Sequence, residues 1–172
     1  MEFMELAKAR YSVRKFSDKP LEQEKLDKIL EAGNVAPTAA NLQPQRIYVL
    51  QSEDALAKVN AVCKCIYGAK TVLLFAYDET QDWKNPQQEG VHSGQQDVSI
   101  VATHIMLEAW ELGVASCWVN AFSNDELEKA FHLPENEKVV LLMPLGYAAE
   151  DAKPMEKWHF AYKPVEETVT YL

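Results

Sequence analysis

The chain has 172 residues, of which 48% are hydrophobic and 25% are charged, and this suits one globular domain with a substantial core. Its 17 basic and 26 acidic residues give a net charge of −9, which disfavours nucleic acid as a partner because phosphate binding needs a basic surface. No apolar run reaches the roughly 20 residues of a membrane-spanning helix, and the N-terminus lacks the basic start of a signal peptide. We therefore expect a cytoplasmic protein with no membrane partner.

The first part of the chain predicts two helices joined by an extended segment. A short helix over 2–9 leads into residues 10–16, and an amphipathic helix follows from about 21 to 34. In the extended segment, Arg10, Ser12 and Arg14 point to the same side. Two guanidiniums and a hydroxyl on one side form a candidate clamp for a phosphate or carboxylate. An exposed edge strand that carries solubilising charge is the alternative.

Residues 35–45 predict a loop, because two prolines accompany small and amide side chains. Asn41 and Gln43 carry both hydrogen-bond donors and acceptors, which suits the edge of a heterocycle. An ordinary connecting loop has the same composition, so the loop taken alone leaves both interpretations open.

Strands and helices alternate through the rest of the chain. Apolar runs predict strands at 47–50, 71–77, 115–119 and 138–145, and the run at 71–77 is apolar enough for a central strand covered on both faces. Ser52 opens a helix to 62, and a capping box of Ser123 and Glu126 opens another to 131. Residues 78–94 form a long polar loop, which is a candidate lid or active-site edge. This alternation predicts a three-layer α+β fold.

The most apolar helix pattern runs from about 95 to 112, with hydrophobic side chains on nearly every side. We expect this helix to be buried or shared between subunits. Asp97 lies near its start, where a carboxylate can cap free N–H groups, and Gly113 lies where a left-handed residue ends a helix. His104 and Glu108 lack a third metal ligand, so we predict a hydrogen-bonded core or interface pair and no metal site.

The three cysteines, Cys63, Cys65 and Cys117, do not have the spacing of a zinc site. We predict reduced thiols in or near the core, with a redox pair as the alternative. The stretch from about 146 to 172 has little hydrophobic periodicity. We expect it to be an extended tail that lies over another surface, such as that of a partner subunit.

Three segments in this order resemble motifs of the nitroreductase family of flavoproteins. They are Arg-Tyr-Ser-Val-Arg-Lys-Phe at 10–16, Ala-Pro-Thr-Ala-Ala-Asn-Leu-Gln-Pro at 36–44 and Glu-Leu-Gly-Val-Ala-Ser-Cys-Trp-Val at 111–119. The resemblance extends from Ala9 to about Val169. It implies a single FMN-binding domain over 1–172, with a central, mostly antiparallel sheet flanked by helices. It also implies a homodimer with FMN in two clefts at the subunit interface.

The resemblance assigns roles to three groups of residues by position. Arg10, Ser12 and Arg14 would hold the FMN phosphate and ribityl chain, while Thr38, Asn41 and Gln43 would approach the flavin of the partner subunit. Four residues would run along the isoalloxazine edge, much of the contact being made by backbone groups: Trp118, Val119, Asn120 and Ala121.

The tail also resembles the family's ending, in which a basic residue meets the phosphate. Here Tyr162 stands where arginine is usual, which leaves Lys163 as the available cation. A second departure is Gln45, which replaces a tryptophan common after the loop proline and so alters the pocket wall.

The activity that the resemblance implies is an oxidoreductase reaction. Hydride from NADH or NADPH would pass through FMN to a nitroaromatic, quinone or similar electron-poor acceptor by a ping-pong mechanism. The flavin would supply the chemistry and the protein would supply position and electrostatics, so no side chain is expected to act as a catalytic nucleophile. The alternatives are a non-catalytic flavin-binding or flavin-storage protein of the same fold, and a small acidic interaction domain that has lost the cofactor.

Overall fold

The computed structural model describes residues 2–172, and Met1 of the predicted 1–172 domain lies outside the described residues. The α-helices are α1 (Phe3–Ala9), α2 (Gln23–Asn34), α3 (Glu53–Val62), α4 (Gly94–Glu111), α5 (Asn124–Ala130) and α6 (Glu156–His159). The strands are β1 (Gln45–Leu50), β2 (Thr71–Asp78), β3 (Ala115–Ser116) and β4 (Glu137–Gly146). Short 3₁₀ turns cover Ala39–Asn41 and Val165–Glu167. No helix in the described part of the chain is long and apolar enough to cross a membrane.

The four strands form one sheet in the order β1-β2-β4-β3, and each neighbouring pair is antiparallel. This confirms the predicted antiparallel sheet. Every residue of β2 is buried, as expected for a strand covered on both faces.

The strand predicted at 115–119 is shorter than expected, because β3 ends at Ser116. The backbone N–H of Cys117 still donates to the carbonyl of Pro144 at 3.3 Å, but proline has no N–H to return the bond. The ladder resumes where Val119 and Leu142 exchange both backbone hydrogen bonds, at 2.9 and 3.0 Å. Pro144 therefore interrupts a strand that continues in direction but not in regular pairing.

Helices cover both faces of the sheet. On one face, α2 and α4 pack through residues such as Ile29 and Val101 against Leu73 of β2. On the other, side chains of α3 and α5 pack against Leu74, the next residue of the same strand. Because successive strand residues point to opposite faces, β2 supplies both cores, and the predicted three-layer arrangement is present.

Helix α4 is only partly covered by its own chain. Its buried side chains include Ile105, and a Cβ on Gly33 of α2 would lie 2.6 Å from the tip of that isoleucine, so the two helices approach closely. Gly113 adopts φ +73° and ends the helix region as predicted. Leu107, however, borders a surface groove of about 490 Å³ together with apolar residues of α1 and with Val35. The expected burial of α4 is therefore met on one side and left open on another.

The polar and thiol groups predicted around the core have mixed outcomes. His104 Nδ1 contacts the backbone carbonyl of Ile100 at 2.9 Å, so its hydrogen bond is made within its own helix and not to Glu108 as expected. The three cysteines are free thiols, and burial raises the pKa of Cys63 and Cys117. Buried thiols with raised pKa values are poor nucleophiles, which favours the structural interpretation of these two cysteines.

Candidate functional site

The segment around Arg10 and Arg14 lies beside the outer strand of the sheet. Ser12 forms a parallel bridge with Ser116, and the N–H of Val13 donates to the carbonyl of Ser116 at 2.9 Å. The Val13 side chain is fully buried, so its neighbours on either side face outward. As the spacing predicts, the three polar residues of this segment meet at one cavity of about 190 Å³. We call the set of Arg10, Ser12 and Arg14 the clamp.

The tail closes this cavity. Its other lining residues are Tyr11, Met155, Trp158, His159 and Tyr162. The Arg14 guanidinium lies 5.4 Å from the ring centroid of Trp158, within the range of a cation–π contact. The ring of His159 lies 6.0 Å from that of Tyr11, edge to face.

Sequence reasoning missed Trp158 and His159. They lie in α6, a single four-residue turn that is too short for helical periodicity to reveal. Their signal in the sequence is an indole beside an imidazole in a tail that has little helical periodicity. Lys163, the cation expected there, does not line this cavity: its side chain is 73% exposed and lies 3.9 Å from Glu167.

The electrostatics of the cavity favour an anion. None of its eight lining residues is acidic, although the chain as a whole carries a net charge of −9. Arg14 acts to lower the pKa of two nearby groups, Cys117 and Tyr67. Burial raises the pKa of both, and Arg14 offsets only part of that rise. Both groups therefore stay neutral near pH 7, and neither compensates the charge of Arg14.

The residues predicted to run along a ring system continue directly from the clamp's partner strand. Trp118 Nε1 donates to Asn120 Oδ1 at 2.6 Å, and Asn120 Nδ2 donates to the carbonyl of Val140 at 2.7 Å. Val119 pairs with Leu142 of β4 through its backbone. Backbone groups alternate in direction along a strand, so the N–H groups of Trp118 and Asn120 point away from β4. Ala121 follows as an exposed residue.

The predicted loop residues form a second, separate group. The N–H of Gln43 donates to Thr38 Oγ1 at 3.1 Å, and Gln43 Nε2 donates to the carbonyl of Asn41 at 3.2 Å. Ala40, Asn41 and Gln43 all have positive φ, between 48° and 54°, which is uncommon for residues other than glycine. Within residues 2–172, no hydrogen bond or ion pair joins this loop to the clamp.

Asp97 does not have the role that its position in the sequence suggests. Its carboxylate does not cap α4: Oδ1 accepts a hydrogen bond from the N–H of Ala39 at 2.8 Å, and Oδ2 accepts one from Ser93 Oγ at 2.6 Å. The expected capping interaction is thus replaced by a contact with the 38–43 loop. Asp97 bonds a residue distant in sequence, and not a helix N–H, because the first turn of α4 faces that loop.

Two other features bear on ligands and partners. A larger surface groove of about 990 Å³ is lined by four carboxylates, at positions 79, 125, 128 and 135, so it suits an anionic ligand poorly.

Gln45, just after the loop, has a buried Oε1 with no hydrogen-bond partner in the described part of the chain. Such an acceptor is costly to leave unpaired, so a donor from outside the chain would stabilise it.

Comparison with known proteins assigns the family. Residues 7–66 and 63–147 match the sequence model of the Nitroreductase family. A crystal structure of a nitroreductase family protein from Clostridium difficile 630 is 37% identical and covers 99% of this chain and 98% of its own, with a TM-score of 0.92. An FMN-dependent nitroreductase from Clostridium difficile R20291 is 25% identical over 98% of each chain, with a TM-score of 0.78.

A relative of known sequence points the same way. An NADPH-dependent oxidoreductase of Staphylococcus aureus (strain MRSA252) is 28% identical over 169 residues, which is 87% of this chain and 67% of that protein. The family match includes the clamp and the segment 115–121, and the fold agrees across nearly the whole chain. The chain therefore belongs to the nitroreductase family.

Proposed function

We propose that this protein is a homodimeric, FMN-dependent oxidoreductase that takes hydride from NADH or NADPH and passes electrons to a nitroaromatic, a quinone or a similar electron-poor acceptor. The names of its relatives support this class of activity, since one is an FMN-dependent nitroreductase and another an NADPH-dependent oxidoreductase. The observation that carries the proposal is the cavity at the clamp, where two guanidiniums and a hydroxyl meet without any lining carboxylate.

The chemistry of this cavity fits the phosphate end of FMN. Arginine offers a planar fork of donors that matches a phosphate, and Ser12 adds a hydroxyl that can bond a phosphate or a ribityl oxygen. The cavity of about 190 Å³ is smaller than the roughly 300–1,000 Å³ typical of a complete ligand site. The phosphate end would therefore lie in the cavity and the ring outside it.

The ring would lie along 118–121, which continues from the clamp's partner strand. FMN, when bound, would supply the hydride-accepting and electron-donating chemistry. The chain's own part would be to bind and orient. The N–H groups of Trp118 and Asn120, held in direction by the pairing of Val119 with Leu142, would offer fixed donors to the ring edge. Preorganised donors of this kind stabilise developing negative charge without reorganisation.

The homodimer is proposed because one chain leaves both the site and its surface incomplete. The 38–43 loop is not joined to its own clamp, so a second copy would bring Thr38, Asn41 and Gln43 to the ring. The groove beside α4 includes Phe3, which is 62% exposed, and Val35, which is 71% exposed. A contiguous apolar surface of this kind marks an interface in a protein of this size.

A second candidate is a flavin-storage protein of the same fold. The exposed position of Lys163 favours it, because the cavity then has two cations where the family's ending would add a third. Weaker retention of the phosphate would suit exchange of FMN.

Two measurements test the proposal. Titration of the apoprotein with FMN, followed by flavin fluorescence, should give saturable binding. Steady-state oxidation of NADH and NADPH should then depend on added nitroaromatic or quinone. Binding without acceptor-dependent oxidation would favour storage, and the absence of FMN binding would contradict both candidates.

The dimer has its own test. Light scattering should give twice the chain mass, and Val35→Glu should lower the dimer fraction because it buries a charge at the proposed interface. A monomer that binds FMN as tightly as the wild-type protein would refute the shared site.

A further inference from the structure

A buried carboxylate at the start of α4 links the 38–43 loop to the 78–94 loop. Asp97 is only 2% exposed, and its two oxygens bond different segments. Oδ1 accepts from the N–H of Ala39, in the 38–43 loop, and Oδ2 accepts from Ser93 Oγ, at the end of the 78–94 loop. Asp97 lies in the first turn of α4, where the positive end of the helix dipole stabilises a buried negative charge.

The 78–94 loop is anchored at the same place. Ser93 Oγ also accepts from the N–H of Trp83 at 3.1 Å, and the N–H of Ser93 donates to the carbonyl of Trp83 at 3.0 Å. Asp82, whose side chain is buried, accepts from the N–H of Gly94 at 3.1 Å and pairs with Lys84 and His92. These contacts hold the start of α4 to the 78–94 loop, and they therefore fix the position of the Asp97 carboxylate.

The 38–43 loop needs such support. Three of its residues that are not glycine have positive φ, a conformation that costs free energy and persists only where surrounding contacts hold it. Asn41 and Gln43 are exposed, so their own packing contributes little. The bond from Ala39 to a buried, charged acceptor is the strongest type of hydrogen bond available to the loop.

We propose that Asp97 is a positioning residue: it holds the 38–43 loop in its left-handed conformation and couples that conformation to the 78–94 loop through Ser93. The consequence for ligands rests on the proposed function, because only then do Thr38, Asn41 and Gln43 meet a flavin. The positioning itself is a property of the chain without any ligand.

The test is amide hydrogen exchange of the ligand-free protein, resolved at Ala39 and Trp83. Asp97→Ala should speed exchange at the Ala39 amide by roughly tenfold to a hundredfold, the factor expected for the loss of one hydrogen bond to a charged group. Asp97→Asn keeps an acceptor for Ala39 and a donor for Ser93 Oγ but loses the charge, so its exchange rate at Ala39 should lie between those of the wild-type protein and Asp97→Ala. Ser123→Ala, which removes the cap of α5 on the other face of the sheet, is the matched control and should leave both amides unchanged.

Coupling between the loops is tested separately. Ser93→Ala removes the second partner of the carboxylate and none of the contacts of Ala39. It should speed exchange at Ala39 as well as at Trp83. If Asp97→Ala fails to fold, Asp97→Asn takes its place, and faster exchange at Ala39 than in the wild-type protein is the expected result.

The outcomes separate this inference from the proposed function. Unchanged exchange at Ala39 in Asp97→Ala, or in Asp97→Asn where the first does not fold, overturns the positioning role, whatever the protein binds. Unchanged exchange at Ala39 in Ser93→Ala overturns the coupling. Faster exchange in a protein that shows no FMN binding upholds that role and contradicts the proposed function. If both hold, FMN affinity in Asp97→Ala should fall in proportion to the fraction of molecules in which the 38–43 loop keeps its left-handed conformation.

Discussion

Removal of the Arg14 guanidinium is the sharpest test of the clamp. Arg14 is half-buried, its Nη1 donates to the carbonyl of Ser12 at 3.2 Å, and its guanidinium lies against Trp158. The group is therefore held in place before a ligand arrives, and little ordering entropy opposes its contact with a phosphate. A hydrogen bond to a charged group contributes ~1.5–3 kcal/mol. We expect Arg14→Ala to weaken FMN binding by roughly tenfold to a hundredfold.

The chain offers a matched control one residue away. Lys15→Ala removes the same unit of charge from the same segment, but the Lys15 side chain is exposed and pairs with Asp151. Exposed, paired charges contribute little and are screened by salt, so this variant should change FMN affinity by less than about twofold.

The assay is fluorescence titration of each apoprotein with FMN and with riboflavin, which lacks the phosphate. Arg14→Ala should weaken the binding of FMN and leave the binding of riboflavin nearly unchanged. Equal losses for Arg14→Ala and Lys15→Ala would show that net charge alone is responsible. An equal loss for both ligands would place Arg14 against the ring or the ribityl chain and not the phosphate, and no loss at all would end the assignment of the clamp.

The other predictions concern stability and the tail. Gly94→Ala should lower the free energy of unfolding by about 1–3 kcal/mol, measured by urea denaturation, because a Cβ there would overlap the ring of Tyr77; an unchanged midpoint would show that the ring can move aside. Hydrogen bonds from a neighbouring threonine and asparagine lower the pKa of Asp78 from 3.8 to about 2. Ionised Asp78 therefore contributes about 2 kcal/mol to the free energy of unfolding above pH 4, and this contribution is lost as the pH falls through 2. Asp78→Asn should remove that part of the acid sensitivity, and identical acid unfolding of both proteins would contradict it. Tyr162→Arg adds a guanidinium to the cavity lining and should tighten FMN binding by roughly tenfold. Lys163→Ala should weaken FMN binding less than Arg14→Ala does. A larger loss of affinity in Lys163→Ala than in Arg14→Ala would mean that Lys163 reaches the phosphate.

Local sequence patterns predicted most elements of the fold. Ser52 and Ser123 each accept a hydrogen bond from a backbone N–H in the first turn of the helix that they open, and Gly113 takes the left-handed conformation that its position suggests. These features depend on neighbours within a few residues, so a single sequence contains them. The same is true of the clamp, because alternation along an extended segment places Arg10 and Arg14 on one side.

Only the tertiary structure decided which distant groups meet. Pro144 on β4 interrupts β3 because the missing N–H lies opposite Cys117, and the partner of Asp97 is Ala39 and not a helix N–H. The tail residues that close the cavity come from more than 140 positions further along the chain than the clamp. No local pattern encodes such pairings. They depend on how strands align in the sheet and on where helices enter and leave it, since a side chain bonds whichever group the fold brings within reach.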